Sequence, residues 1–208
     1  PPENAPAVAA LPGERKGYVT YGCFNNLAKV NDAVIETWSR ILHAAPESRL
    51  LLKAKQLGSD ELRANLLARF ASYGIGPERL ELQGAGSYAE YLDTYASIDI
   101  ALDPFPYTGG ATTAESLWMG VPVVTLKGDR FIAHQGESLM HAAGLGAMIA
   151  ADRDAYVQLA LSCAADRHAL AELRAGLRAR VASSALFDAA RYARNLEAAW
   201  RGMWAEWC

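Results

Sequence analysis

The sequence predicts an α/β domain built on a doubly wound parallel sheet, and three features predict it. Short apolar runs alternate with amphipathic helical stretches along most of the chain, and 208 residues suffice to bury one substantial core. The run from Ile98 to Leu102 is so apolar that both faces of a strand there must be covered. Strands covered on both faces belong to parallel sheets, whose crossover connections are helices.

The elements follow in order. Residues 1–16 carry Pro1, Pro2, Pro6, Pro12 and Gly13 with little periodicity, and read as an extended linker from a preceding region. Residues 17–208 are then the folded domain. Tyr18 to Phe24 is a β-rich run, after which Asn31 to Ala45 places Val34, Trp38, Ile41, Leu42 and Ala45 on one helical face. A second strand runs from Arg49 to Ala54, and a helix from about Ser59 to Tyr73 stops before Gly74 and Gly76. Leu80 to Gln83 is the third strand. Ser87 and Glu90 have capping-box spacing before a helix with Tyr91, Leu92 and Tyr95, and Ile98 to Leu102 follows as the fourth strand.

A short helix is expected over Ala114 to Met119, then a strand over Pro122 to Leu126, a helix over about Phe131 to Ala143 and a last strand over Met148 to Ala150. From Asp152 the pattern is helical, with segments near 153–165, 167–183 and 188–207 forming a carboxyl-terminal tail. Leu196, Trp200, Met203, Trp204 and Trp207 on the last segment are expected to pack against the domain's own surface.

Bulk properties narrow the function. A formal net charge of −3 without a basic run argues against nucleic acid or an anionic membrane as partner. No apolar run approaches the ~18 residues needed to cross a bilayer. The three cysteines, Cys23, Cys163 and Cys208, lack metal-ligand spacing and suit a reducing cytoplasm.

In an open parallel sheet, ligands sit outside the carboxyl ends of the strands. The segment after Leu102 reads Asp103-Pro-Phe-Pro-Tyr-Thr-Gly-Gly-Ala-Thr-Thr. Gly109 and Gly110 let backbone approach an anion, the helix start offers free N–H groups, and Thr112 and Thr113 add hydroxyls. Thr112 and Glu115 also have the spacing of an ordinary capping box. Glycines beside threonines at the end of a buried strand favour the phosphate cradle over the plain cap.

A second segment, Gly22 to Lys29, offers Asn25 and Asn26 as hydrogen-bonding groups and Lys29 as a point charge, but paired asparagines serve plain turns and a lone lysine is usually solvated, so spacing alone favours an ordinary turn. Lys53 and Lys55 end the second strand on the same sheet edge, either near an anion or as a solvated rim. Tyr88 and Tyr91 are either a stacking platform for a base or the edge of the core. Of the histidines, only His134 sits in a segment polar enough to be kept as a candidate acid or base.

The stretches Gly17-Tyr-Val-Thr-Tyr-Gly-Cys-Phe-Asn-Asn-Leu-Ala-Lys-Val30 and Leu102-Asp-Pro-Phe-Pro-Tyr-Thr-Gly-Gly-Ala-Thr-Thr-Ala-Glu-Ser-Leu-Trp-Met-Gly-Val-Pro-Val-Val-Thr125 carry a resemblance. Together with Gly136-Glu-Ser-Leu-Met, Ala143-Gly-Leu and Leu196-Glu-Ala-Ala-Trp-Arg-Gly-Met-Trp, the chain resembles the O-linked N-acetylglucosamine transferase family, in particular its SPINDLY branch. The resemblance implies the carboxyl-terminal, Rossmann-like lobe of a GT-B glycosyltransferase, preceded by an amino-terminal lobe and tetratricopeptide repeats.

By position it places Asn26 and Lys29 on the diphosphate, with Lys29 catalytic, and Gly110, Ala111, Thr112 and Thr113 in the phosphate cradle. Glu115 falls on the ribose hydroxyls and Tyr91 on the base, with Gly86 also among the substrate-binding residues. The sequence departs from the animal pattern of His-Thr-Thr at Gly110-Ala111-Thr112, and from lysine and histidine at Tyr88 and Tyr91. The implied reaction moves N-acetylglucosamine from UDP-N-acetylglucosamine to serine or threonine of a protein acceptor, without cofactor or metal. No Asp-x-Asp segment is read as a metal motif. Fucosyl transfer from GDP-fucose and a nucleotide-binding scaffold remain as alternatives, and the chain by itself is expected to bind nucleotide weakly and catalyse nothing.

Overall fold

A computed structural model of the chain describes residues 2 and 4–208. The elements are α1 (Pro12–Lys16), β1 (Thr20–Cys23), α2 (Asp32–Ala44), β2 (Arg49–Lys53), α3 (Asp60–Ala71), β3 (Leu80–Gln83) and α4 (Tyr88–Thr94). They continue with β4 (Ile100–Leu102), α5 (Ala111–Trp118), β5 (Val123–Leu126), α6 (His134–Ala142), β6 (Ile149–Ala150), α7 (Arg153–Ala165), α8 (Arg167–Ala182) and α9 (Ala189–Trp207). All neighbouring strands are parallel, in the order β3-β2-β1-β4-β5-β6. This is the doubly wound sheet the alternation predicts.

Strand β2 shows why both faces are buried. Leu50 and Leu52 point into the larger core, with Trp38 of α2 and Tyr156 of α7, whereas Leu51 points into a second cluster with Phe24, Leu92, Tyr95, Ile98 and Met119. A period of two with both registers apolar makes one strand serve two layers of helices. The chain winds outward from β1 to β3, then returns to place β4 against the other side of β1. The connections leaving the carboxyl ends of the paired strands β1 and β4 therefore run in opposite directions at this switch point, which opens a crevice outside the strand ends.

The two ends of the chain differ from expectation. Pro1 and Glu3, part of the expected linker, lie outside the described residues, but Leu11, Pro12 and Gly13 are buried and α1 closes on Gly17 in the left-handed region at φ 80°. Buried Asp99 accepts the Gly13 and Thr20 N–H groups at 2.7 and 2.8 Å, and buried Arg174 donates to the carbonyls of Ala9, Ile98 and Tyr95 at 2.7, 2.9 and 3.1 Å. Proline-rich composition thus marks a bound segment here rather than a free one. The expectation that α9 packs on its own domain is corrected: none of its residues is buried, and Trp207 is 84% exposed. Aromatic density records a need for cover, and not what supplies it.

Candidate active site at the sheet switch point

The loop after β1 and the helix after β4 meet across the crevice. Asn26 caps a short 3₁₀ turn, Leu27–Lys29, accepting the Ala28 N–H at 2.9 Å, and that turn presents Lys29. The Lys29 ammonium donates to the Thr108 carbonyl at 2.8 Å and to Asn25 Oδ1 at 3.1 Å, and lies 4.0 Å from the centre of the Tyr107 ring. Partial burial lowers its pKa from the ordinary value, while the field of Asp103 opposes the shift. Asn25 Oδ1 also accepts the Thr112 hydroxyl at 3.0 Å, so one buried amide oxygen joins the two loops.

Helix α5 starts at Ala111 with Gly110 as its N-cap residue, and no side chain caps it. This removes the capping-box reading of Thr112 and Glu115. Thr112 lies inside the helix and binds Asn25, while Glu115 accepts the Tyr88 and Tyr91 hydroxyls at 3.0 and 2.8 Å, so there is no capping box. The first-turn N–H groups of Ala111, Thr112 and Thr113 have no preceding helical carbonyl to bind and carry the positive end of the helix dipole. Gly109 cannot be replaced quietly: a Cβ there would stand 2.3 Å from Thr113 Oγ1 and 2.8 Å from Asp103 Oδ1. The Thr113 hydroxyl is buried with no partner among the described residues, beside a void of about 10 Å³, the space of one water.

Asp103, fully buried at the end of β4, fastens the loop. It accepts the Gly109 N–H at 2.6 Å and the Thr125 hydroxyl at 2.8 Å, and burial pushes its pKa up to about 6 against the pull of those bonds and of Lys29. Thr108, whose carbonyl holds Lys29, accepts the Gly136 N–H at 2.8 Å through its hydroxyl. Sequence reasoning passed over Asp103 and Tyr107. An acid closing an apolar strand just before a Pro-x-Pro and a Gly-Gly was the available signal for Asp103.

Beside the cradle, a cleft of about 430 Å³ is lined by Phe24, Lys53, Lys55, Gly86, Tyr91 and Glu115, among others. Its size suits a small ligand. Tyr91 continues the chain of hydroxyls to Tyr95 at 2.9 Å, and Tyr95 donates to the Thr112 carbonyl at 3.2 Å. The structure thus gathers Lys29, Thr112 and the α5 start on one side and Gly86, Tyr91 and Glu115 on the other. Asn26 remains exposed, bonded to Ala28 and, at 2.7 Å, to Gln56. His134 is taken up by Glu137 at 2.7 Å. The Asp-x-Asp spacing at Asp152-Arg153-Asp154, passed over in the sequence reading, is also committed: Asp152 caps α7 and Asp154 pairs with Arg40 at 2.6 Å.

A profile of glycosyl transferase family 41 matches residues 9–196. The chain belongs to that family. Over all 208 residues it is 41% identical to a Petunia hybrida protein named as a probable UDP-N-acetylglucosamine–peptide N-acetylglucosaminyltransferase SPINDLY, and 40% identical to its Arabidopsis thaliana namesake. The match takes up 22% and 23% of those proteins, so the chain spans under a quarter of the curated relatives' length.

The structure superposes on a mutant of the Thermobaculum terrenum O-GlcNAc transferase with a TM-score of 0.91 at 36% identity, covering 99% of this chain and 39% of that one. Anabaena HepE in complex with UDP shares the fold alone, with a TM-score of 0.63 at 15% identity over 89% of this chain and 51% of that one. The family 41 chain thus has the architecture of the carboxyl-terminal lobe of a GT-B glycosyltransferase, with a helical tail. Among the described residues, no helix is long and apolar enough to cross a membrane.

Proposed function

We propose that this chain is the nucleotide-sugar-binding lobe of a protein O-glycosyltransferase that moves N-acetylglucosamine from UDP-N-acetylglucosamine to serine or threonine hydroxyls. The observation that carries the reading is the junction of Lys29, Asn25 and Thr112 at the start of α5, at the switch point of the sheet. When the bond from sugar to diphosphate breaks, negative charge builds on the leaving phosphate. A lysine held by three neighbours and a helix start with free N–H groups face that charge without having to reorganise. Lys29 takes the catalytic role of stabilising the leaving group, and no metal is assigned to it. Asn25 and Thr112 position Lys29 and the cradle, Glu115 takes the ribose hydroxyls, and Gly86 and Tyr91 line the base side.

The names of the most similar relatives support the donor and the protein acceptor. The acceptor site, the amino-terminal lobe and the tetratricopeptide repeats belong to the rest of a longer chain in this reading, and three free cysteines fit a cytoplasmic setting. The test is product analysis with the full-length protein, an acceptor peptide and labelled UDP-N-acetylglucosamine or GDP-fucose in parallel. Transfer of N-acetylglucosamine is the expected result. Transfer of fucose alone would reassign the donor, and nucleotide binding without any transfer would make the protein a scaffold.

A further inference from the structure

The lysines that close β2 have no part in the reading above. Alternation along β2 carries Lys53 onto the face of Leu51, and the residue is only 9% exposed, so it is no solvated rim. Its ammonium donates to Gln83 Oε1 at 3.0 Å, and Gln83 is oriented by its own donation to Glu81 Oε1 at 2.7 Å. Among the described residues no carboxylate lies within 4.0 Å of it. The part-buried ammonium has three N–H groups, of which the neutral amide takes one. Lys53 lines the cleft of about 430 Å³ together with Glu115.

The strand order turns this into a position along a nucleotide. The diphosphate side lies over β1 and β4, Glu115 follows in the cleft, and the end of β2 is the next step outward toward β3. The group a nucleotide presents beyond its ribose is the base. We infer that Lys53 reads the base, donating to the exocyclic carbonyl that uracil and guanine share. Cytosine and adenine carry an amino group at that place, and an ammonium facing an amino donor is left without its acceptor. The inference rests on the nucleotide-sugar reading above and adds the residue that selects an oxo base over an amino base.

Calorimetric titration of UDP, CDP, GDP and ADP into the full-length protein tests it. The oxo-base nucleotide should bind about 10- to 100-fold more tightly than its amino partner of the same ring size, the discrimination expected when a charged donor is left unpaired. Lys53→Met should bring that ratio close to one, mainly by weakening the oxo base. Lys53→Gln, which offers both a donor and an acceptor, should narrow it to within about threefold and serves if the methionine variant does not fold. An unchanged ratio in a folded variant overturns the assignment. So does an equal loss for all four nucleotides, which would place Lys53 on the phosphates. Failure of every nucleotide to bind the unaltered protein overturns the nucleotide reading itself, a separate result.

Discussion

The two sides of the crevice are built to different standards. On the side proposed for the phosphates, Asn25, Asp103, Thr108 and Thr113 are buried, and bonds from Lys29, Gly109, Thr112, Thr125 and Gly136 tie both loops together. On the side proposed for the base, Tyr88 is 53% exposed, and its hydroxyl and that of Tyr91 hold Glu115 in an open cleft. The difference matches what the proposed function asks of each side. Stabilising a charge that appears only as a bond breaks requires donors already in place, whereas holding a ribose and base tolerates groups that settle around them.

The largest expected effect lies on the phosphate side. Lys29→Ala should lower kcat by about 10²- to 10³-fold in the full-length protein while leaving it folded, the usual cost of losing one preorganised donor. Turnover within threefold of the unaltered enzyme would break the comparison.

Next is Asp103→Ala, which leaves the Gly109 N–H and the Thr125 hydroxyl without acceptors and should cost about 2–4 kcal/mol in urea denaturation. Asp103→Asn tests the charge. Since burial raises the pKa of Asp103 from 3.8 to about 6, the folded protein keeps a proton that the unfolded chain releases. Its contribution is therefore fully present below about pH 4 and lost as pH rises through about 6, and the asparagine variant should lack this fall. Identical stability profiles from pH 4 to 7 would remove Asp103 from the account.

Glu115→Ala should weaken nucleoside diphosphate binding about tenfold and leave pyrophosphate binding unchanged, which separates the two sides by titration. Equal losses would merge them. The smallest effect is expected for Tyr88→Phe, whose exposed hydroxyl should change stability by less than about 0.5 kcal/mol. A larger loss would show that the base side is as tightly tied as the cradle.

The sheet was legible because burial on both faces writes itself into composition: the leucines of β2 and the run of β4 permit few other structures. The cradle was legible only as far as its local chemistry. Thr112 and Glu115 carry capping-box spacing, and nothing in the neighbouring sequence says that their partners are Asn25 and two tyrosines, because those contacts span 87, 27 and 24 residues. The same distance hid the role of Asp103 toward Thr125 and left Lys53 undecided between an anion and a rim. The misread linker has a similar cause. Its partners Asp99 and Arg174 lie 86 residues beyond Gly13 and 165 beyond Ala9. Periodicity reports a segment's own faces, and long-range polar pairing leaves no periodic trace.

The uncovered last helix gives the protein two optical populations. Trp200, Trp204 and Trp207 on α9 are 58%, 68% and 84% exposed, while Trp38 of α2 is wholly buried and bonds the Tyr156 hydroxyl of α7. The emission of the native chain is therefore weighted toward water-relaxed indoles before anything unfolds. Loss of the core reddens Trp38 and the half-buried Trp118, which packs on Phe187, and any surface laid over α9 moves its three indoles toward the blue. One fluorescence spectrum thus separates melting of the sheet from cover of the helix by the sign of the shift.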